Sequence, residues 1–280
     1  MFVQKGWFGC VVVLALLIGA VSVADGQTRA DCERQYTPQR AQEGKDVIWE
    51  PIEDSMVGRM LEMASVTAAD KVYDLGSGDG KIVIAAAKRF GATGVGIEYD
   101  APLVKHSRCL AAAEGVADRV TFIQADIFES DFSDATVVTL YLTPNVLERL
   151  LPSLLALTPG TRLASYSFRL GDWEPEQQVD SLGDGSVFLW TVPAHAAGAW
   201  TFRKANSAEA FEIKLEQTFQ TLGGLAGSSP VVGTVHGAEL NFGFMQGAEK
   251  IRVEGVVEAD RIVATVVRGT TSAKYVATRN

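Results

Sequence analysis

The sequence has few cysteines and fewer basic than acidic residues. Its three cysteines, Cys10, Cys32 and Cys109, are too few to build a disulfide framework in a chain of 280 residues. No Cys-x-x-Cys motif or Cys/His cluster indicates a structural metal. Cys109 falls among alanines in a predicted helix, where we expect a small buried hydrophobe. With 25 basic and 34 acidic residues and a net charge of −9, the chain offers no basic surface for phosphate backbones. We therefore expect no nucleic acid partner.

The composition is that of a folded protein, with 47% hydrophobic and 21% charged residues. This balance excludes extensive disorder, and the length fits one large or two modest domains.

The first 24 residues resemble a targeting segment. Lys5 precedes the apolar stretch C-V-V-V-L-A-L-L-I-G-A, and Ser22-Val23-Ala24 places small residues where a signal peptidase cleaves. The segment 1–24 is thus predicted to be a secretory signal peptide, which would send the protein to the periplasm or cell envelope. The alternative is an uncleaved membrane anchor, since Gly6 to Ala24 carries no charge and approaches the roughly 20 residues that span a bilayer. Three arginines at 29, 34 and 40 would then favour a cytoplasm-facing domain.

Beyond a linker at 25–45, the chain divides into two regions of different periodicity. Residues 46–195 alternate apolar helical patterns with short β-branched runs, which predicts a doubly wound α/β domain with a parallel sheet. Helices are expected at about 54–65, 80–90, 101–114 and 144–157. The strand candidates are K-V-Y-D-L, T-G-V-G-I-E, R-V-T-F-I, A-T-V-V-T-L, T-R-L-A-S-Y-S-F and V-F-L-W-T-V-P.

Residues 199–280 show alternating runs separated by glycine-bearing turns and no helical pattern, which predicts a small antiparallel sheet or barrel. In F-E-I-K-L-E-Q-T-F, the odd positions Phe211, Ile213, Leu215 and Phe219 should share one buried face.

The motif with the clearest chemistry is V-Y-D-L-G-S-G-D-G, in which a predicted strand runs into a glycine-rich turn and then a helix. Gly76, Gly78 and Gly80, with Ser77 between the first two, allow a tight turn and close approach of a ligand to the backbone. Asp74 and Asp79 would repel a pyrophosphate but suit an ammonium or sulfonium group. This favours S-adenosylmethionine over a dinucleotide.

Two more acids stand at successive strand ends. Glu98 ends the second predicted strand, where an acid in such folds accepts the hydroxyls of a ribose. Asp126 follows the third strand and suits an adenine amino group, with Tyr99 and Ile127 flanking the base. Their joint placement predicts one crevice at the carboxyl edge of the sheet.

The motifs D-L-G-S-G-D-G, G-I-E-Y-D and Q-A-D-I-F resemble those of class I, seven-stranded S-adenosylmethionine-dependent methyltransferases, over about residues 46–194. I-W-E-P-I-E, T-L-Y-L-T-P and S-Y-S-F-R-L-G-D-W-E-P resemble the family of ATP synthase c-subunit and adenine nucleotide translocase lysine methyltransferases and its bacterial and archaeal relatives. The resemblance implies a Rossmann-like sheet and a protein-lysine acceptor. Two departures are Ile52, where threonine is usual, and Glu50, where an apolar residue is common.

A lysine nucleophile must arrive neutral, which an apolar or aromatic channel favours. Trp49, Tyr141 and Pro144 are the candidates for that channel, and Glu50 is a candidate for orienting the incoming ammonium. Three function classes stay open: a protein-lysine methyltransferase, a small-molecule methyltransferase, and a cofactor-binding protein without catalysis.

Overall fold

The computed structural model describes Met1 and residues 27–181 and 185–280. The predicted leader therefore lies, apart from its first residue, outside the described residues. None of the helices in this described part is long and apolar enough to cross a membrane.

The first half of the chain forms one sheet flanked by helices. The helices are α1 (Arg29–Gln35), α2 (Asp54–Met63), α3 (Lys81–Phe90), α4 (Ala101–Ala113) and α5 (Pro144–Leu155). The strands are β1 (Lys71–Leu75), β2 (Thr93–Glu98), β3 (Val120–Gln124), β4 (Val137–Leu140), β5 (Arg162–Tyr166), β6 (Gln177–Ser181) and β7 (Gly185–Thr191). Their order is β3-β2-β1-β4-β5-β7-β6, in which β1 to β5 run parallel and β7 antiparallel to both its neighbours. The predicted doubly wound fold is confirmed.

Alternation along the strands divides the apolar residues between two layers. Val72 of β1 packs in the layer that contains residues of α2, α3 and α4, whereas Tyr73 packs in the layer that contains α5. The predicted helices match α2 to α5 to within two residues.

Two elements of the α/β half were not predicted. α1 lies in the predicted linker and begins with a capping box between Thr28 and Asp31. β6 lies in a stretch for which the sequence indicated no strand. It occupies the edge of the sheet, where polar residues such as Gln177 and Gln178 are tolerated.

The second half forms an antiparallel barrel. Its strands are β8 (Gly198–Lys204), β9 (Ala210–Thr218), β10 (Thr221–Ala226), β11 (Ser229–Pro230), β12 (Val232–His236), β13 (Glu239–Gln246), β14 (Glu249–Glu258), β15 (Arg261–Arg268) and β16 (Thr271–Arg279). Strands that follow one another along the chain are paired, except that β12 pairs with β10 and the short β11 is attached to β10. The pairing of the last strand, β16, with the first, β8, closes the ring. The predicted separate antiparallel region is confirmed, and its sheet is closed.

The barrel contacts the α/β domain at the amino ends of the parallel strands, opposite the end at which their carboxyl termini lie. Gly237 lies against Gly160 and Thr191, close to the start of β5 and the end of β7. Trp173 stacks on Phe219 with ring centroids 5.5 Å apart and donates from Nε1 to Gln220 at 2.6 Å.

One side chain of the expected barrel face lies elsewhere. Ile213 and Leu215 are buried as predicted, and Phe211 packs against the same core. The prediction for Phe219 is wrong. It follows the end of β9 with a φ of 50°, so the turn directs its ring to Trp173 instead of the barrel interior.

The expectation for Cys109 is also wrong. Cys109 of α4 forms a disulfide with Cys32 of α1, with the two Cα atoms 5.7 Å apart. The unpredicted helix α1 packs along α4 and places Cys32 in a buried position beside its partner. This single cross-link fixes the N-terminal segment to the α/β domain.

Candidate active site

A cavity of about 310 Å³ opens where the carboxyl ends of β1 to β4 meet. Its wall brings together eleven residues that the sequence singles out, namely Trp49, Glu50, Asp74, Gly76, Ser77, Gly78, Glu98, Tyr99, Asp126, Ile127 and Tyr141. Gly80 and Pro144 do not line it. We call this cavity the crevice.

The backbone conformation and the packing of the turn at 76–80 explain why it contains glycines. Gly76 and Gly78 have φ values of 78° and 54°, a region that favours glycine. A Cβ on Gly78 would lie 2.6 Å from Nε1 of Trp49, so the bare backbone lets the indole close over the turn. A Cβ on Gly80 would instead lie 2.5 Å from the Phe122 ring. Gly80 therefore serves the packing of the α3 N-terminus and lies outside the lining of the crevice.

Glu98 is fixed by the backbone around it. One carboxylate oxygen accepts the Gly78 N–H at 2.9 Å and the other accepts the Asp100 N–H at 2.9 Å. Each oxygen keeps a lone pair for a second donor. The side chain is thus oriented in advance for a ligand that carries two neighbouring hydroxyls.

Asp74 is a buried acid, and no cationic side chain among the described residues neighbours it. Its carboxylate accepts the Thr139 hydroxyl at 2.7 Å. Burial, together with the nearby charges of Asp79 and Glu98, raises the pKa of Asp74 to about 7, although the hydrogen bond from Thr139 acts in the opposite direction. A positively charged ligand group placed beside it would favour the ionised form.

The hydroxyl of Ser77 is a buried polar group beside the same wall. Its Oγ is buried and has no hydrogen-bond partner among the described residues. The atom lies over Gly96, where a Cβ would be only 2.6 Å away, so it is close to the strand β2 backbone. The close-approach glycines, the oriented Glu98 and the buried Asp74 together fit S-adenosylmethionine.

Asp126 has a partner that the sequence analysis missed. Lys45 forms an ion pair with Asp126 and lies over the Tyr99 ring, 5.1 Å from its centroid. The hydrogen bond from Lys45 is the main cause that lowers the pKa of Asp126. The predicted adenine end of the crevice is therefore covered by the N-terminal segment. Nothing in the spacing of Lys45 and Asp126 along the chain indicates this pairing.

Aromatic side chains form the other end of the crevice. Tyr141 contacts Tyr166 edge to face with centroids 4.8 Å apart, and Phe168 lines the same cavity. Burial is the main cause that raises the pKa of Tyr141, so its hydroxyl stays protonated at neutral pH. Glu50 accepts a hydrogen bond from Arg40 Nε at 2.7 Å. The result is a mostly aromatic opening with one paired carboxylate.

The family profile of the ANTKMT methyltransferase domain matches residues 74–177. A protein-lysine N-methyltransferase of Saccharolobus islandicus is 39% identical over 150 residues, which cover 52% of this chain and 93% of that protein. The adenine nucleotide translocase lysine N-methyltransferase of Mus musculus is 34% identical over 46% of this chain, but the match spans only 55% of the mouse protein.

A solved structure is also similar. It is described as an RNA methyltransferase of Salinibacter ruber in complex with S-adenosyl-L-homocysteine. It is 53% identical, covers 52% of this chain and 95% of its own, and has a TM-score of 0.51. Its bound ligand is the demethylated product of the cofactor that the crevice fits. The chain belongs to the ANTKMT methyltransferase family and is an S-adenosylmethionine-dependent methyltransferase.

Proposed function

We propose that this enzyme transfers methyl groups to lysine side chains of a protein. The observation that carries the proposal is the set of aromatic side chains of Tyr141, Phe168 and Trp49 that line the crevice. Such a wall favours a neutral amine over an ammonium, because it cannot solvate the charge. The names of the archaeal and mouse relatives support the same acceptor.

When bound, S-adenosylmethionine supplies an electrophilic methyl group. We assign Asp74, Ser77, Gly78, Glu98 and Asp126 to the binding of this cofactor, with Tyr99 and Ile127 beside its base. The remaining task of the protein is to position the nucleophile and control its charge. Glu50, held by Arg40, attracts the lysine ammonium at the mouth. The lysine releases its proton to solvent before it enters between Trp49 and Tyr141, and its neutral nitrogen is then aligned for in-line displacement.

Two other acceptors are the rival candidates. An RNA acceptor is suggested by the description of the Salinibacter protein. The net charge of −9 argues against it, because affinity for RNA depends largely on cationic contacts with phosphate. A small-molecule amine could bind against the same aromatic wall. An experiment is therefore needed to distinguish a small-molecule acceptor from a protein acceptor.

The acceptor class can be read from one labelling experiment. The enzyme is incubated with a limiting concentration of methyl-tritiated cofactor and cell-envelope extract, with Glu98→Ala as the matched control of weakened cofactor binding. We expect label in a protein band that is sensitive to protease and, after acid hydrolysis, elutes with methylated lysine. Label that follows RNA or an extractable metabolite would contradict the proposal.

We further propose that the catalytic region is exported or anchored at the cell envelope through residues 1–24. The disulfide between Cys32 and Cys109 supports an oxidising compartment, since such bonds rarely persist in the cytosol. A cytoplasm-facing anchor is the alternative. A C-terminal alkaline phosphatase fusion should be active only if the domain is exported, and a fusion without phosphatase activity would contradict export.

A further inference from the structure

Residues 28–50 cross the mouth of the crevice, and we call this segment the N-terminal strap. It consists of α1 with its cap Thr28, a connection at 36–40, and a hairpin at 41–49 that ends next to Glu50. In the hairpin, Ala41 N–H donates to the Trp49 carbonyl and Trp49 N–H donates to the Gln42 carbonyl, each at 2.9 Å. The strap therefore has a base at α1 and a tip at the hairpin turn.

The base of the strap depends on the disulfide. α1 has only seven residues, too few for a stable helix by itself. α1 also forms an ion pair between Arg29 and Glu114, in which the Arg29 side chain is 53% exposed. Exposed ion pairs contribute little. The bond between Cys32 and Cys109 is thus the strongest connection between α1 and α4.

Contacts lead from the base to the hairpin. The Tyr36 ring lies edge-on to His106 of α4 at 5.6 Å, one helical turn from Cys109. The Tyr36 hydroxyl donates to Gln42 Oε1 at 3.2 Å, and Gln42 Nε2 reaches Asp100 Oδ2 at 3.4 Å. The position of α1 on α4 is therefore coupled to the position of the hairpin.

The tip covers the crevice. Lys45 pairs with Asp126, Asp46 pairs with Arg149 at 3.1 Å, and Trp49 lies against Gly78. The Arg149 side chain is 56% exposed, so this link is weak without the support of the base. Gln42, Lys45, Asp46 and Trp49 all line the cavity.

We propose that the Cys32–Cys109 disulfide is a positioning element that holds the strap over the crevice and slows release of the cofactor. Reduction by a dithiol adds two electrons and two protons, leaving two cysteine thiols and the oxidised, cyclic form of the reagent. Without the disulfide, the strap is less ordered in the ligand-free protein. Ordering it on each binding event costs conformational entropy, which weakens the affinity for the cofactor. The inference rests on the assignment of the crevice to S-adenosylmethionine.

The test compares oxidised protein with protein treated with dithiothreitol, and counts free thiols in each. S-adenosylhomocysteine is the probe, its affinity is measured by calorimetry and its release rate by stopped-flow fluorescence. We expect reduction to weaken affinity by about three- to tenfold, mostly through faster release. Amide hydrogen exchange at 41–49 should also accelerate in the ligand-free reduced protein, which is a readout independent of the ligand.

Two variants act as controls. The Cys32→Ser/Cys109→Ser protein should behave like reduced wild type and should not respond to dithiothreitol. Asp46→Asn keeps the disulfide but weakens the tip, so it should also speed release. Unchanged affinity and release after complete reduction would overturn the proposal. Failure of the oxidised protein to bind the probe would instead overturn the cofactor assignment on which it rests.

Discussion

Side chains alternate between two faces along the strands of both the barrel and the sheet that carries the crevice. The barrel strands use this alternation for stability, whereas the strands at the crevice also place groups for ligand binding. In β9 of the barrel, buried Ile213 and Leu215 alternate with exposed Glu212 and Lys214, as stability alone would favour. At the crevice, β1 places Asp74 in the interior, and the following turn contains glycines with positive φ and the unpaired Ser77 hydroxyl. Features that cost stability, such as a buried carboxylate or an unpaired hydroxyl, are expected mainly at functional sites. The comparison separates a binding region from a supporting one.

The largest effect is expected where the two regions meet. Trp173 is 1% exposed, stacks on Phe219 and donates to Gln220. Trp173→Ala should lower the free energy of unfolding by about 3 to 5 kcal/mol, because it leaves a large cavity and an unpaired amide. Trp173→Phe is the matched control and should cost about 1 kcal/mol. Chemical denaturation measures both. Equal, small losses would mean that the barrel is only loosely attached.

A substitution within the crevice should act on binding instead. Glu98→Ala removes the acceptor for two ligand hydroxyls, so cofactor affinity should fall by about 1 to 3 kcal/mol. His236→Ala, which breaks the pair with Glu176 at the barrel interface, should leave affinity unchanged. Isothermal calorimetry with S-adenosylhomocysteine distinguishes them. Wild-type affinity in a folded Glu98→Ala protein would refute the site.

The buried acid gives the crevice a characteristic pH dependence. The pKa of Asp74 rises from its usual 3.8 to about 7 on folding. Between these values the unfolded chain binds fewer protons, so this group makes the protein less stable as pH increases from about 4 to 7.

Asp74→Asn removes that penalty while keeping the size of the side chain. The variant should gain about 1 to 3 kcal/mol of stability at pH 8 and little at pH 4, and it should bind the cofactor more weakly. Thermal denaturation at the two pH values gives the comparison. A gain that is independent of pH would contradict ionisation as its cause.

The smallest effect on binding is expected at the acceptor end. We propose that the Tyr141 hydroxyl faces the acceptor, so Tyr141→Phe should lower turnover while changing cofactor affinity by less than about 0.5 kcal/mol. Steady-state kinetics and calorimetry on the same preparation test this. Equal losses in both would move Tyr141 to the cofactor side.

The sequence predicted the glycine turn, the strand-end acids and the two-region organisation because each depends on local pattern. Gly76, Glu98 and Asp126 could be placed at one sheet edge from topology alone. Lys45 and the disulfide of Cys32 could not, because their partners Asp126 and Cys109 are distant along the chain. Their pairing depends on how α1 and the hairpin pack. Phe219 shows a similar limit, since a turn and not the alternation decides its direction.

We propose that the α/β half alone forms the cofactor site. All the residues that line the crevice lie between Gln42 and Phe168, and the barrel begins at Gly198 on the other side of the sheet. We propose the division at 46–195 and 199–280 on this basis.

The most direct test is calorimetric titration of S-adenosylhomocysteine into a protein that ends at His195 and into the full chain. The truncated protein retains the strap and its disulfide, so it should bind one equivalent with an affinity within about twofold of the full chain, a difference under 0.5 kcal/mol. Its solubility should fall, because Trp173 loses Phe219. A truncated protein that is folded by circular dichroism but does not bind the ligand would contradict the account.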